Sequence, residues 1–195
     1  QNFNKDTHIG KLLVHVKAIE EIINIIGLKL KKLSVKKIRN NMRKIIVNPD
    51  KGFISLVGRD EIKNFITEQI FTFYKNPYVF LNDSQGIILS GDSGVGKTRV
   101  AKSMAYIYSK SYILARECVI EKTPSDFNSF YINEDKIKTV KILLSALEGV
   151  LFVDEAYGIV GTGTSLEKGY GEGVITELVA FDTDHSGRFI PILAG

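Results

Sequence analysis

The chain of 195 residues is 44% hydrophobic and 25% charged, with a formal net charge of +4. This is an ordinary soluble composition, with room for one α/β domain that has a real core and a small appendage. No apolar run approaches the roughly 18 residues that cross a bilayer, there is no signal-peptide layout at the start, and the single cysteine makes no internal disulfide, so a reducing, cytoplasmic setting away from membranes is expected.

Residues 1–47 read as two helices, a small helical, basic segment ahead of the rest. The first runs from about Ile9 to Ile26 and stops near Gly27; the second runs from about Ser34, a plausible N-cap, to Val47. No carboxylate occurs between Glu21 and Asp50, while Lys29, Lys31, Lys32, Lys36, Lys37, Arg39, Arg43 and Lys44 accumulate. Such a run suits a nucleic acid or an acidic partner. It equally suits the wet face of an amphipathic helix, and the helical spacing of Val35, Ile38, Met42 and Ile45 favours that reading. No aromatic residue interleaves with the basic ones, which argues against a platform for single strands. The cluster "NPDKG" marks a turn and a boundary, dividing the chain into 1–47 and 48–195.

From Phe53 onward strands alternate with helices. A helix follows Gly58, with Ile62, Ile66 and Ile70 four residues apart, and "GIILS" is a short buried strand. A helix is expected over Lys97–Ser109, a strand around Cys118–Ile120, and a helix over Asp135–Leu147. Cys118 reads as a small strand residue, since no histidine sits in a matching context for a nucleophile. "GVLFVDEA" is a second buried strand, the glycine-rich "GTGTSLEKGYGEG" a low-complexity stretch, Val174–Phe181 a helix, and "RFIPILAG" a last strand despite Pro191. Alternation of this kind predicts an α/β fold, a parallel sheet with helices on both faces.

The chemistry gathers at two strand ends. Gly91, Asp92, Ser93, Gly94, Val95, Gly96, Lys97 and Thr98 form the phosphate-loop pattern G-x-x-x-x-G-K-[ST], directly after a strand and opening a helix. Backbone N–H groups must curl around phosphates there, which requires residues without side-chain obstruction, and the helix N-terminus adds its dipole. Lys97 is expected to bridge the β- and γ-phosphates, and the Thr98 hydroxyl to ligate Mg²⁺. Further on, an apolar strand delivers Asp154 and Glu155 together at its C-terminal end, the edge at which parallel sheets bind ligands. Asp154 is expected to hold Mg²⁺, and Glu155 to polarise water for attack on the γ-phosphate. Val57 and Gly58 are expected to contact the adenine. A guanine-reading N-K-x-D is missing, and Asp184-His185-Ser186-Gly187 fits D-x-x-G with no apolar strand ahead of it. Hydrolysis of ATP fits better than a GTPase switch or a small-molecule kinase.

In this order, "GDSGVGKT", "GVLFVDEAYGI", "YGEGVITELV" and "IPILAG" resemble the AAA+ ATPases of the CbbX/CfxQ group, with its red-type rubisco activases, stage V sporulation protein K-like proteins and type VII secretion ATPases. Tyr157, after Asp154-Glu155-Ala156, is the group's particular mark. The likeness runs from about Phe53 to Gly195. It implies the large subdomain of a P-loop NTPase that works as a hexamer, binds ATP and Mg²⁺, and remodels a protein client. It implies that Tyr131 and Ile132 lie in a client-gripping pore loop, although Asn133 stands where the group usually has glycine. It also implies a sensor residue, an arginine finger and a helical lid beyond Gly195, so that full activity needs a neighbouring subunit; it assigns the finger's role to neither Arg116 nor Arg188. Two other readings stay open: an idle, nucleotide-bound scaffold in a larger assembly, and a nucleic-acid motor or loader using Lys29–Lys44. Beginning on Gln1, the chain reads as processed or partial.

Overall fold

The computed structural model describes residues 35–83, 85–127, 134–160 and 165–195. Helix α1 (Val35–Val47) buries Met42, Ile45 and Ile46 and leaves Arg43 and Lys44 exposed. Over these residues the basic stretch is the wet face of an amphipathic helix. The helix expected near the start, and Lys29 to Lys32, lie outside the described residues.

A 3-10 turn (Phe53–Ser55) leads into α2 (Asp60–Lys75), whose buried Ile66, Ile70 and Tyr74 recur one turn apart. Asp60 and Glu61 stand in its first turn and Lys75 in its last, each matched to the helix dipole. A short helix not expected from the sequence, α3 (Pro77–Leu81), follows at once. Its signal is nevertheless local: Asn76 accepts a hydrogen bond from the Val79 N–H at 3.3 Å, and Pro77 opens the helix.

The remaining elements are β1 (Ile87–Leu89), α4 (Lys97–Lys110), β2 (Val119–Lys122), α5 (Pro124–Phe127), α6 (Glu134–Ala146), β3 (Val150–Val153), α7 (Tyr157–Val160), α8 (Ser165–Asp184) and β4 (Ile190–Ala194). Strands separated by helices are as expected, but the short α5 and α7 are not, and β1, expected to be buried, is an edge strand with Ile88 80% exposed. The strands form one parallel sheet in the order β1-β4-β3-β2. Its two faces can be read from β3, which is buried throughout. Val150 and Phe152 pack into one hydrophobic cluster with α1, α2 and α4, while Leu151 and Val153 pack into a second with α6 and α8. A period of two on a strand covered on both sides gives this division.

Pro191 sits in β4, between two partners, where a missing N–H would ordinarily break a ladder. The Gly195 N–H donates to Leu89 O at 3.1 Å, so odd-numbered residues of β4 face β1. Pro191 therefore faces β1 too, but β1 begins only at Ile87, opposite Ile192. The lost donor falls just before the ladder starts.

The glycine-rich stretch differs from expectation. The helix expected over Val174–Phe181 is part of a longer one: α8 runs over Ser165–Asp184 and takes in Gly169, Gly171 and Gly173. Each glycine costs about 1 kcal/mol against alanine in a helix. Packing overrides that local cost: Gly171, Val174 and Phe181 are buried, and Lys136 Nζ of α6 pairs with Glu177 Oε1 at 2.7 Å.

Across the turn at 48–52, α1 remains part of the first cluster. Asn41 Nδ2 donates to Lys110 O at 3.2 Å and to the Tyr112 hydroxyl at 3.0 Å, and Lys51 Nζ pairs with Glu117 at 2.7 Å. Among the described residues no helix is long and apolar enough to cross a membrane.

Candidate functional site

The C-terminal ends of β1, β4 and β3 lie level, because Leu89 is opposite Ala194 and Val153 opposite Leu193. The chain leaves each end differently. After β1 it enters the glycine loop, where Gly91, Gly94 and Gly96 have φ of 152°, 81° and 92°. Side chains rarely adopt such values, so the loop needs glycine for its path as well as for access. The loop is stitched to the sheet: Gly91 N–H donates to Gly195 O at 3.1 Å. Beyond it, α4 begins at Lys97 with Val100 N–H donating to Gly96 O at 3.1 Å.

After β3 the chain turns sharply. Glu155 has φ of 52°, a left-handed conformation that costs a residue with a Cβ about 1–2 kcal/mol. Its N–H donates to Asp154 Oδ1 at 3.0 Å, and Ala156 N–H donates to Ala194 O at 2.8 Å. Strain in one residue is thus held by bonds on both sides of it, as is common at functional positions.

These ends enclose a cavity of about 310 Å³, lined by Gly91, Ser93, Gly94, Gly96, Lys97, Thr98, Asp154, Glu155, Tyr157 and Gly195. Six of the eight sequence-expected loop residues and the acidic pair are brought together there, whereas Asp92 and Val95 do not line the cavity. Lys97 Nζ donates to Gly91 O at 2.6 Å and to Asp92 O at 3.2 Å. An ammonium held by the loop's own carbonyls stands beside the concave surface that an anion would enter. Oxygen donors suited to Mg²⁺, the Thr98 hydroxyl and the Asp154 carboxylate, share the same wall. A small hard cation kept by one or two protein oxygens together with substrate phosphates fits this donor set.

Other expected positions fall elsewhere. Val57, 82% exposed, and Gly58 are outside the cavity lining, next to Arg59, whose guanidinium donates to Val95 O on the loop. Tyr131 and Ile132 lie outside the described residues. Tyr157 and Gly195 line the cavity although sequence reasoning gave them no site role; Tyr157 is 68% exposed. A signal for them exists in the sequence, since both sit within four residues of the end of a strand whose C-terminal edge binds ligands.

The late arginines are engaged at the opposite edge of the sheet. Arg116 Nη1 donates to Leu147 O at 3.1 Å, and Arg188 Nε to Glu148 Oε1 at 2.9 Å, just ahead of β3 and β4. Asp184 to Gly187 lies at that same edge, so its D-x-x-G pattern is remote from the cavity.

Known proteins carry the same plan. Over 109 residues the chain is 38% identical to the ESX-3 secretion system protein EccA3 of Mycobacterium tuberculosis, covering 56% of this chain and 17% of that protein. It is 31% identical over 163 residues to stage V sporulation protein K of Bacillus subtilis, covering 77% of this chain and 48% of that one. The chain thus spans less than half the length of these relatives. Among solved structures, the FIGL-1 AAA domain in complex with ADP superposes with a TM-score of 0.52 at 19% identity, over 85% of this chain and 55% of that one, a likeness of fold. The architecture is that of an α/β P-loop NTPase, and similarity to sporulation protein K and EccA agrees with the group to which "DEAYG" pointed. Residues 87–195, from the first strand of the sheet to the end of the last, match the model of the ATPase family associated with various cellular activities (AAA), and the chain belongs to that family.

Proposed function

We propose that this chain binds ATP with Mg²⁺, hydrolyses it, and works as a homo-oligomer, a hexamer, that couples turnover to remodelling of a protein client. Membership of an ATPase family supports nucleotide binding and hydrolysis in general terms. The observation that carries the finer reading is the adjacency of β1, β4 and β3, which gathers Lys97, Thr98, Asp154 and Glu155 around one cavity.

In this reading the N–H groups of Ser93 to Thr98 receive the phosphates, at the N-terminus of α4. Lys97 exchanges the carbonyls of Gly91 and Asp92 for phosphate oxygens. Thr98 and Asp154 would hold Mg²⁺, which would supply neutralisation of charge on the phosphates. Glu155 takes a proton from the water that attacks the γ-phosphate, and Val57 and Gly58 meet the adenine. In this reading the arginine that meets developing charge comes from a neighbouring subunit, as the resemblance implies, and Arg116 and Arg188 are engaged at the far edge. Such a residue is worth roughly 10³- to 10⁵-fold in phosphoryl transfer.

Glu155→Gln tests the catalytic assignment. The variant keeps the shape of the side chain and loses its basicity, so ATP binding is expected to persist while turnover falls about 10²- to 10⁴-fold. Wild-type turnover would contradict the role given to Glu155. Client remodelling is tested at Tyr131, where an aromatic ring offers a large, rigid grip indifferent to client sequence. Tyr131→Ala is expected to fold and bind ATP normally yet fail to remodel; a melting temperature lower by several degrees would make Tyr131 a packing residue.

A further inference from the structure

Arg59 occupies the position just before α2, but its side chain does not cap that helix. It crosses instead to the glycine loop, where Nη2 donates to the carbonyl of Val95. A second observation places the guanidinium against the next residue: a Cβ added at Gly96 would lie 3.3 Å from Arg59 Nη2. Neither Arg59 nor Val95 lines the cavity, whereas Gly96 does.

A trans peptide holds its C=O and the following N–H pointing in opposite directions, and none of the described peptide bonds is cis. With the Val95 oxygen on Arg59, the Gly96 N–H therefore points away from Arg59, and Gly96 itself lines the cavity while Arg59 and Val95 do not. Two cations thus bind loop carbonyls, one lining the cavity and one not. Lys97 does so from the concave side, with Gly91 O and Asp92 O, where an entering phosphate competes for it. Arg59 does so with Val95 O, and neither lines the cavity.

We propose that Arg59 is a positioning residue: its guanidinium fixes the Val95–Gly96 peptide with the N–H aimed into the phosphate site, so that the loop is ordered before a polyphosphate arrives. This rests on the nucleotide-binding reading given above. It predisposes the site toward the phosphate chain and not toward the base, because the contact acts on a peptide of the phosphate loop alone.

The test uses fluorescent ATP on the 195-residue chain, with displacement by inorganic tripolyphosphate, in wild type, Arg59→Met, Arg59→Lys and Lys97→Ala. Methionine keeps most of the apolar stem and removes the donor; lysine keeps a donor and the charge but loses the planar fork. Losing a charge-assisted bond that orders the loop is expected to weaken ATP and tripolyphosphate by the same factor, about tenfold, with Arg59→Lys recovering part of the loss. The unliganded melting temperature of Arg59→Met is expected to match wild type. If Arg59→Met binds both probes like wild type while Lys97→Ala does not, the positioning role is wrong and the nucleotide reading stands. If wild type binds neither probe, the nucleotide reading fails and this inference with it. A lower unliganded melting temperature with unchanged affinity would make Arg59 a packing residue and overturn the proposal.

Discussion

The two edges of the sheet treat their polar groups in opposite ways. Where the strands begin, charges and carbonyls are engaged with one another: Arg188 with Glu148, Arg116 with the carbonyls of Ser145 and Leu147, and Glu117 between Lys51 and Lys110. Where the strands end, Glu155 is exposed in a left-handed backbone, Lys97 rests on the loop's own carbonyls, and three glycines hold positive φ. One edge satisfies its groups internally and holds the fold. Positive φ is found at both edges, since Glu148 and Gly187 have φ of 62° and 71° at the first. What sets the second apart is a cavity lined by Lys97 and Glu155, with Lys97 on contacts a ligand can take over. The difference is expected to appear as a split between substitutions that lower affinity or turnover and substitutions that lower stability.

The largest expected effect on affinity is at the ligand edge. Lys97→Ala removes the cation beside the cavity while the loop glycines remain, so ATP affinity is expected to fall by more than about tenfold, read by titration with a fluorescent analogue. Hydrogen bonds to charged groups are worth about 1.5–3 kcal/mol each. The unliganded melting temperature should change little, because among the described residues Lys97 bonds to the loop itself.

A substitution of middle size sharpens the contrast from the other edge. Gly187 has φ of 71°, and an added Cβ would lie 2.7 Å from Leu81 Cα. Backbone against backbone cannot give way cheaply, so Gly187→Ala is expected to cost about 1–3 kcal/mol, a fall of several degrees in thermal unfolding. ATP affinity per folded molecule should hold. A loss of affinity matching the loss of stability would join the two edges into one unit.

The smallest effect belongs to Glu117. Burial alone would raise its carboxyl, but hydrogen bonds and charge from Lys51 and Lys110 outweigh this and hold it below the usual range. The hydrogen bond that Lys51 donates to Glu117, with the charge of that carboxylate, in turn raises Lys51. A depressed carboxyl stabilises the fold above its unfolded value of about 4.5 and loses that contribution as pH falls through its folded value. Lys51 loses its share only as pH rises through a value above 10.5. Glu117→Gln is therefore expected to cost about 0.5–1 kcal/mol near neutral pH, limited by the exposure of these side chains. The gap to wild type should close in acid; a gap that persists in acid would mean that the side chain acts by packing.

Much of the ligand edge is legible in the sequence, because its signals are local. Glycines at fixed offsets, a lysine and threonine opening a helix, and an apolar run ending in Asp154 and Glu155 each state their chemistry over a few residues. Long-range facts are not legible there. Nothing in "GTGTSLEKGYGEG" announces α8, which depends on packing against α6. Nothing near Arg59 announces its bond to Val95, since the two residues are far apart in sequence and meet only when α2 and the loop are in place. Pro191 is tolerable for a reason visible only in the register with β1.

Amide hydrogen exchange with and without ATP and Mg²⁺ tests the division between the edges most directly. The account expects added protection at residues 91–98 and 154–157, where the loop and the turn after β3 face the cavity, and unchanged exchange at Arg116, Glu148 and Arg188. Protection that spreads equally to both edges, or that leaves residues 91–98 untouched, would contradict it.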